Sequence, residues 1–334
     1  MQVFEVSGTA YEMGREIGHR FRRVLQRRCA KAEEKWMNEE MQAKLAAIAE
    51  KLEKTFPEAL QEIRGKAEGA GVPFFPLLLL NSPELTRKSD GCTTVILKDC
   101  AGRVFFSHNE DEDNFFKNNT MLVRFNYPDH WVVGYTNAEK VIGSCFGFNS
   151  YGLLFSSNFL FPDKTAPGEI SRYIYERWLT SASGIAEVRS RLQEMKVASP
   201  FSFNVADTKT GEAFNFEKDL DRVYETEITA AYGRSNHFLA KEGEVKASPN
   251  SLFRAAKAQE GINGLDPQQA SGEKLREILS YQGEDRIHSI FLTAYNDRTV
   301  ANLCYNGADG SIVIRDYLDH KCDYNLSFPA LLGK

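Results

Sequence analysis

The chain has 334 residues, of which 26% are charged and 42% hydrophobic, and its formal net charge is -5 at pH 7. This composition is ordinary for a soluble globular protein, and so mild a charge predicts neither a nucleic-acid nor a membrane partner. No run approaches the roughly 18 apolar residues of a membrane span, and the first residues lack the pattern of a signal peptide, so a cytoplasmic protein is expected.

Six cysteines are spread along the chain without a Cys-x-x-Cys pair. Cysteines spaced so widely predict neither a zinc site nor a disulfide framework. In a protein without an export signal they are expected to be reduced thiols. The sequence accordingly predicts no metal and no cofactor.

The first part of the chain carries a helical pattern. Residues 11–42 and 44–66 are rich in Glu, Arg, Lys, Met and Ala, which are mostly strong helix formers, and Pro57 suits the first turn of a new helix. The arginines between residues 15 and 31 are followed at once by glutamates. This arrangement indicates a solvated helical face rather than a nucleic-acid surface.

From residue 92 onwards the pattern changes to short strands separated by turns. Residues 93–97 and 103–107 predict a hairpin around Asp99-Cys100-Ala101-Gly102. Further elements are predicted in chain order: strands at 121–127, 131–136, 141–148 and 152–157, helices at 169–179 and 185–195, strands at 201–206, 213–217 and 222–226, helices at 251–259 and 267–281, and strands at 289–295, 299–305 and 311–315. This order fits sheets covered by helices, an α+β layered architecture.

A cysteine opens the first strand of that hairpin, in Gly91-Cys92-Thr93-Thr94. Three further motifs accompany it: Gly8-Thr9-Ala10-Tyr11-Glu12-Met13-Gly14-Arg15, then Gly147-Phe148-Asn149-Ser150-Tyr151-Gly152-Leu153 with Ser157-Asn158-Phe159, then Ser235-Asn236-His237-Phe238. In this order they resemble the acyl-coenzyme A:isopenicillin N acyltransferase family of N-terminal-nucleophile (Ntn) hydrolases and, more distantly, the bile-salt and penicillin V amidases. The resemblance implies an α+β fold, a four-layer αββα sandwich, with a helical prosegment of residues 1–91 held against a body of residues 92–334.

The resemblance also implies that the precursor cuts itself between Gly91 and Cys92, so that Cys92 becomes the new N-terminus and the nucleophile. The thiol can attack the Gly91 carbonyl, and glycine tolerates the backbone angles that bring the sulfur over that carbonyl. Cleavage frees an α-amino group with a pKa of about 7.7 to 8.0, which can act as general base for its own thiol. A half-buried structural cysteine at a strand start is the alternative interpretation.

Four more residues are candidates for the catalytic machinery. Asp111 ends the second hairpin strand, which returns it beside Cys92, where a carboxylate can hold the α-ammonium. The amides of Asn158 and Asn236 match the family's two positions for stabilising the tetrahedral oxyanion, although asparagines at strand ends are also common turn residues. Arg254 matches an arginine that the amidases keep near the nucleophile, and an exposed helical arginine is the alternative.

The second hairpin strand bears on the substrate class. His108-Asn109-Glu110-Asp111 departs from the amidases, which have an arginine at the first position, and looks more like the β-alanyl-amine hydrolases. His108 is a candidate for binding the substrate or supporting the nucleophile, or it is a hydrogen-bonded strand-end histidine. Glu110 and Asp113 are candidates for binding a cationic group on a β-alanyl or aminoacyl amide, and a solvated acidic loop is the alternative.

The predicted function is hydrolysis of a small linear amide through an acyl-thioester enzyme. After residue 92 no glycine-rich phosphate loop or basic cluster favours coenzyme A, so acyl-CoA-dependent transfer is the second possibility. An unprocessed thiol hydrolase with His108 as base and a non-catalytic binding protein of the same fold stay open. The expected partners are a small-molecule amide and, for the two cleavage fragments, each other; a homo-oligomer is possible.

Overall fold

The computed structural model of the protein describes residues 1–86, 91–112, 118–294, 297–318 and 322–333. Its helices are α1 (Ala10–Arg20), α2 (Arg22–Trp36), α3 (Glu39–Thr55), α4 (Pro57–Ala70), α5 (Phe74–Leu80), α6 (Pro83–Thr86), α7 (Arg172–Leu179), α8 (Ile185–Glu194), α9 (Pro249–Asn263), α10 (Gly272–Leu279) and α11 (Phe328–Leu331). Within these ranges, none of the helices combines the length and the apolar sequence that crossing a bilayer requires.

The strands are β1 (Gln2–Ser7), β2 (Gly91–Lys98), β3 (Val104–Glu112), β4 (Thr120–Asn126), β5 (Trp131–Asn137), β6 (Phe146–Asn149), β7 (Leu153–Phe159), β8 (Phe201–Asp207), β9 (Ala213–Asp219), β10 (Arg222–Glu227), β11 (Ala231–Arg234), β12 (Thr293–Ala294), β13 (Asp297–Asn306), β14 (Ser311–Asp316) and β15 (Cys322–Ser327). They form two sheets. The first runs β1-β4-β5-β6-β7-β8-β9-β10, and the second runs β11-β2-β3-β13-β14-β15, with β12 paired to β13.

The two sheets face each other and are covered by helices on their outer sides. Side chains such as Ile96, Phe106 and Leu154 fill the core between the sheets. On the other side of β2, Val95 packs with Leu275 of α10 in a second core beneath α9 and α10. Because successive residues of a strand point to opposite faces, even-numbered residues of β2 and β3 face the first sheet and odd-numbered ones face the helices.

The outer face of the first sheet carries a helical layer that includes the helices of the first 86 residues. Its core includes side chains of α1 to α5 together with those of α7, α8 and the sheet itself. The segment also contributes β1, which the sequence pattern had not indicated and which runs parallel to β4. The first part of the chain therefore shares one core with the body instead of having its own.

Helices α1 and α4 approach each other backbone to backbone. A Cβ placed on Gly14 would lie 2.2 Å from the carbonyl oxygen of Glu62, and one placed on Gly65 would lie 2.1 Å from that of Tyr11. Only glycine fits at such separations. Gly14, the next-to-last residue of the first motif, is thus explained by helix packing.

Several predicted elements agree with the structure, and two do not. The hairpin of β2 and β3 is confirmed, as is Pro57 at the first turn of α4. The predicted strand at 141–148 is wrong for its first half, because Gly143 has a φ of +107° and the strand begins only at residue 146. The predicted strand at 289–295 is reduced to Thr293–Ala294 within the residues that the structure describes.

Candidate active site

Cys92 is the second residue of β2 and is 1% exposed. The antiparallel register sets Cys92 opposite Glu110 and Thr94 opposite His108. These four side chains lie on the same side of the second sheet, facing the first, because all four positions are even-numbered. The hairpin alone therefore brings a thiol, a carboxyl group, an imidazole and a hydroxyl group together in the space between the sheets.

The groups on this inner side form a chain of short contacts. The Cys92 thiol donates to Glu110 Oε2 at 3.4 Å, and the same oxygen lies 3.2 Å from His108 Nε2. His108 Nδ1 lies 2.9 Å from Thr94 Oγ1. Thr94 in turn donates to Asn158 Oδ1, on β7 of the facing sheet, at 3.0 Å. The thiol is thus linked to the opposite sheet through a continuous polar network.

Asp111 belongs to the other side of the sheet. It lies opposite Gly91 in the register, accepts from Thr299 Oγ1 at 2.7 Å and pairs with Arg254 Nη1 at 3.4 Å. Both members of this ion pair are buried. Arg254 is therefore not the exposed helical arginine that was the alternative, since its guanidinium reaches from α9 to the start of β2.

The backbone of Cys92 is held by side chains that are distant in sequence. Its N–H donates to Asn236 Oδ1 at 3.0 Å, and its carbonyl oxygen accepts from Arg254 Nη1 at 2.6 Å and from Ser235 Oγ at 3.2 Å. Arg254 Nη2 also donates to Asn236 Oδ1, at 2.7 Å. The nitrogen of the predicted scissile bond thus has a direct acceptor.

The two predicted amides differ in what their NH₂ groups do. Asn236 Nδ2 donates to the carbonyl of Phe159 at 2.9 Å. Asn158 Oδ1 accepts from Thr94 and, at 2.8 Å, from Asn204 Nδ2, whereas Asn158 Nδ2 is buried without a hydrogen-bond partner among the described residues. An amide donor left unused inside a protein is costly unless something binds it, so Asn158 offers the available donor of the pair.

Burial governs the protonation of the titratable groups around the site. It lowers the pKa of His108 to about 3, which keeps the imidazole neutral at physiological pH. Burial raises the pKa of Asp111, and the Arg254 cation opposes that rise. Burial, reinforced by the Glu110 carboxylate, also raises the pKa of the Cys145 thiol well above its ordinary value. Cys145 is therefore a protonated, inert neighbour of the site.

Cys92, His108 and Glu110 also have the chemistry of a metal-ligand set. One ligand atom from each lies within 4.8 Å of the other two, and all three residues are buried. No sequence spacing predicts this group, since it arises from hairpin register and not from a local motif. Cys100, in the turn of the same hairpin, is exposed and has no part in it.

The structure brings together around Cys92 all the candidate residues of the sequence analysis that it describes. Asp113 lies outside the described residues. The alternative of a solvated acidic loop is wrong for the three acids before it, because Glu110, Asp111 and Glu112 are all buried on β3. Glu112 pairs with Lys140 at 2.6 Å, so each of these carboxylates has a polar contact within the protein.

The reason for a glycine at position 91 also differs from the expected one. Gly91 lies in the extended strand β2 and is not among the residues with positive φ. A Cβ there would instead meet the Asp111 side chain, at 3.1 Å from its Cβ and 3.4 Å from Oδ2. The small residue therefore makes room for the carboxylate beside the predicted cleavage point.

Several contributing residues were not predicted, among them Thr94, Thr299 and Asn250. Thr94 bridges His108 and Asn158, Thr299 holds Asp111, and Asn250 Oδ1 accepts from Arg254 Nε at 2.8 Å. Thr94 could have been found from alternation, as it shares a strand face with Cys92 two residues away. Asn250 could have been found from its position four residues before Arg254 on a helix, whereas Thr299 is distant in sequence and carries no local signal.

Comparison with known proteins places the chain in a family. Residues 97–310 match the family model described as acyl-coenzyme A:6-aminopenicillanic acid acyl-transferase, which is nearly two thirds of the chain. The chain belongs to this family. The matched region contains Asp111, Asn158, Asn236 and Arg254 but begins after Cys92, so the membership does not depend on the cysteine.

The chain is also similar, at low identity, to individual proteins and solved structures. The β-alanyl-dopamine/carcinine hydrolase of Drosophila melanogaster is 23% identical over 215 residues, which cover 56% of this chain and 53% of that protein. The chain thus spans about half the length of that relative. The Caenorhabditis elegans ortholog of N-acylethanolamine-hydrolyzing acid amidase has a TM-score of 0.50 at 16% identity, covering 66% of this chain and 96% of that one. The penicillin V acylase of Agrobacterium tumefaciens has a TM-score of 0.48 at 8% identity, covering 71% and 86%. The architecture is the αββα sandwich of the Ntn hydrolases.

Proposed function

We propose that the protein is a self-processing N-terminal-cysteine amidohydrolase that cleaves a small linear amide through an acyl-thioester on Cys92. The observation that carries this proposal is the arrangement around Cys92, whose thiol contacts a carboxyl group while its backbone N–H is held by Asn236 Oδ1. A thiol with a proton acceptor and an immobilised scissile nitrogen is what an attack on the preceding peptide bond requires.

Self-cleavage proceeds from these contacts in two steps. Glu110 accepts the thiol proton and the Cys92 sulfur attacks the Gly91 carbonyl carbon, after which the carbon–nitrogen bond breaks and the Cys92 nitrogen takes up a proton. The product is a thioester between Gly91 and the Cys92 sulfur. Water then hydrolyses it, leaving the Gly91 carboxylate, the free thiol and a new α-amino group.

Turnover uses the same sulfur with a different base. The freed α-amine of Cys92 removes the thiol proton, the sulfur attacks the substrate amide, and the amine delivers that proton to the departing nitrogen. Water releases the acyl group from the thioester. Asn236 Oδ1, already 3.0 Å from the Cys92 nitrogen, orients the amine, and the pair of Asp111 and Arg254 supports the same strand end from the helix side.

Asn158 is the oxyanion donor we favour. Its Nδ2 is buried without a partner among the described residues, and its Oδ1 is fixed by Thr94 and Asn204, so the donor is pre-oriented. A preorganised donor aimed at a developing charge stabilises the transition state without reorganisation. Asn236 is assigned to the nitrogen of Cys92 instead, since its own NH₂ group is used by Phe159.

A small aminoacyl amide is the substrate class we propose. The Drosophila relative is named for β-alanyl-dopamine and carcinine, and a buried carboxyl group, Glu110, adjoins the nucleophile here. Hydrolysis is favoured over transfer to another acyl acceptor, which would use the same thioester.

The decisive experiment is the intact mass of the purified chain under denaturing conditions, measured beside Cys92→Ala and the control Cys100→Ala. Two fragments joining at Gly91 and Cys92 in the wild type and the control, with an uncut Cys92→Ala, are expected. A wild-type chain that stays whole after long incubation would overturn self-processing. The fragments should co-purify under native conditions, because one core includes side chains from both sides of the cut.

The second candidate is a thiol hydrolase that works without processing, favoured by the contacts among Cys92, Glu110 and His108. In that enzyme the base would be a side chain, which is already present before any cleavage. It predicts full amidase activity in a preparation whose mass is that of the intact chain. Activity that rises in step with fragment formation would exclude it.

A further inference from the structure

We propose that Cys92, His108 and Glu110 form a binding site for one thiophilic divalent cation of the zinc class, and that this cation reversibly blocks the nucleophile. The binding itself stands on geometry alone. The inhibitory consequence rests on the proposed function, because it requires that Cys92 be the nucleophile. The two parts can therefore fail separately.

The separations among the three ligand atoms fit a tetrahedral ion. Zinc bonds of about 2.3 Å to sulfur and about 2.0 to 2.2 Å to nitrogen and oxygen imply ligand–ligand edges of about 3.4 to 3.6 Å. The observed separations are 3.4 Å from Cys92 Sγ to Glu110 Oε2 and 3.2 Å from that oxygen to His108 Nε2. All three atoms lie within 4.8 Å of one another, so only the separation between the Cys92 sulfur and the His108 nitrogen has to shorten when an ion binds.

The hydrogen bonds around the imidazole prepare it for a metal. Thr94 Oγ1 has one proton, which it donates to Asn158 Oδ1 at 3.0 Å. Toward His108 Nδ1, 2.9 Å away, the same oxygen must then accept, which assigns the proton to Nδ1 and the lone pair to Nε2. Metal-binding histidines almost always have such an acceptor on the second nitrogen.

The lone pairs of a sulfur, an imidazole nitrogen and a carboxylate oxygen thus converge between the two sheets. A borderline-soft ion matches this mixed donor set better than Mg²⁺ or Ca²⁺, which prefer oxygen ligands. Binding forms three metal–ligand bonds and releases the thiol proton to solvent. The sulfur electron pair is then committed to the metal, so it is unavailable for attack on either Gly91 or a substrate.

Direct metal binding is the test. The chain is stripped with a chelator in a phosphine reductant, its mass recorded, and Zn²⁺ binding measured by equilibrium dialysis, with Co²⁺ as a spectroscopic probe of a metal–thiolate band. One equivalent per chain is expected. Cys92→Ser and Glu110→Gln, which keep side-chain size, should each weaken binding by more than about 100-fold, and Thr94→Val by about 10- to 100-fold.

Cys304→Ser is the matched control. Its buried thiol lies on the same sheet but on the helix side, where it donates to Asn302 Oδ1 and adjoins Gly272 of α10, and its loss should leave binding unchanged. Stoichiometric binding that survives Cys92→Ser, or no binding by the wild type, would overturn the site. Binding that leaves self-cleavage and amide hydrolysis untouched at saturation would overturn the inhibitory role alone.

Discussion

Glu110 and Asp111 are neighbours on β3, yet their carboxyl groups lie on opposite sides of the sheet. Glu110 contacts the thiol of Cys92 at 3.4 Å, and Asp111 pairs with Arg254 at 3.4 Å. One acid therefore adjoins the sulfur and the other adjoins the peptide backbone that carries it. The alternation of a single strand separates the proposed proton acceptor of self-cleavage, Glu110, from the carboxyl group that pairs with Arg254.

Replacing Glu110 with glutamine should slow self-cleavage by about 100- to 10,000-fold, the usual contribution of a general base. Before cleavage, Cys92 has no free α-amino group that could act as the base instead, and the glutamine amide cannot accept a proton. A time course of intact mass gives the rate, with Glu110→Asp expected to fall between the two. Cleavage at the wild-type rate in Glu110→Gln would remove this residue from the first step.

The part of the site that could be predicted from sequence is the part made by the hairpin. A tight turn and two alternating strands suffice to put Asp111 and Glu110 near Cys92, and the structure confirms that register. Because successive residues of a strand point to opposite faces of the sheet, the sequence also predicts that the side chains of Glu110 and Asp111 lie on opposite sides.

The rest depends on contacts that no local pattern encodes. Asn236 and Arg254 reach Cys92 across 144 and 162 residues of sequence, and they were proposed only from motif resemblance. The orientation of the Asn236 amide, with its oxygen toward Cys92, is set by two contacts: its NH₂ group donates to the Phe159 carbonyl, and its oxygen accepts from Arg254. The strand β1 carries a weak local signal because Val6 is the one fully buried residue of its six, and its partner β4 is distant in sequence.

Arg254→Met should destabilise the protein by about 3 to 5 kcal/mol, because it leaves the buried Asp111 carboxylate without its cation. Adding Asp111→Asn should restore part of that loss, since the second change removes the uncompensated charge. Urea unfolding of the two single variants and the double variant measures the coupling. Strictly additive effects would mean that the ion pair contributes nothing specific at this position.

Acid sensitivity should be traceable in part to His108. Its folded-state pKa is lowered to about 3 by burial, whereas an unfolded histidine titrates near 6.5. Between these values the unfolded chain binds a proton that the folded chain does not, so stability falls as pH drops from about 6.5 towards 3, by up to about 1.4 kcal/mol per pH unit.

His108→Gln should therefore flatten the loss of thermal stability between pH 7 and pH 4. His288→Gln, at an exposed position, provides the comparison. Burial also lowers the pKa of His237, to about 4, so the wild-type slope includes a second contribution of the same sign that His108→Gln leaves in place. Equal slopes for the wild type and His108→Gln would contradict the neutral, buried imidazole.

Asn158 and Asn236 should fail at different stages. In the processed enzyme, Asn158→Ala should lower kcat for a small amide by about 100- to 1,000-fold, the typical effect of losing one oxyanion donor, while the fragments still form. Asn236→Ala should already slow fragment formation, since it removes the acceptor of the Cys92 N–H, and any fragments that form should turn over slowly because the freed amine lacks the same acceptor. Intact mass and steady-state kinetics on both variants separate the two stages. If Asn158→Ala hydrolyses amides as well as the wild type, the unpartnered Nδ2 has no part in turnover and the oxyanion donor must be sought elsewhere around Cys92.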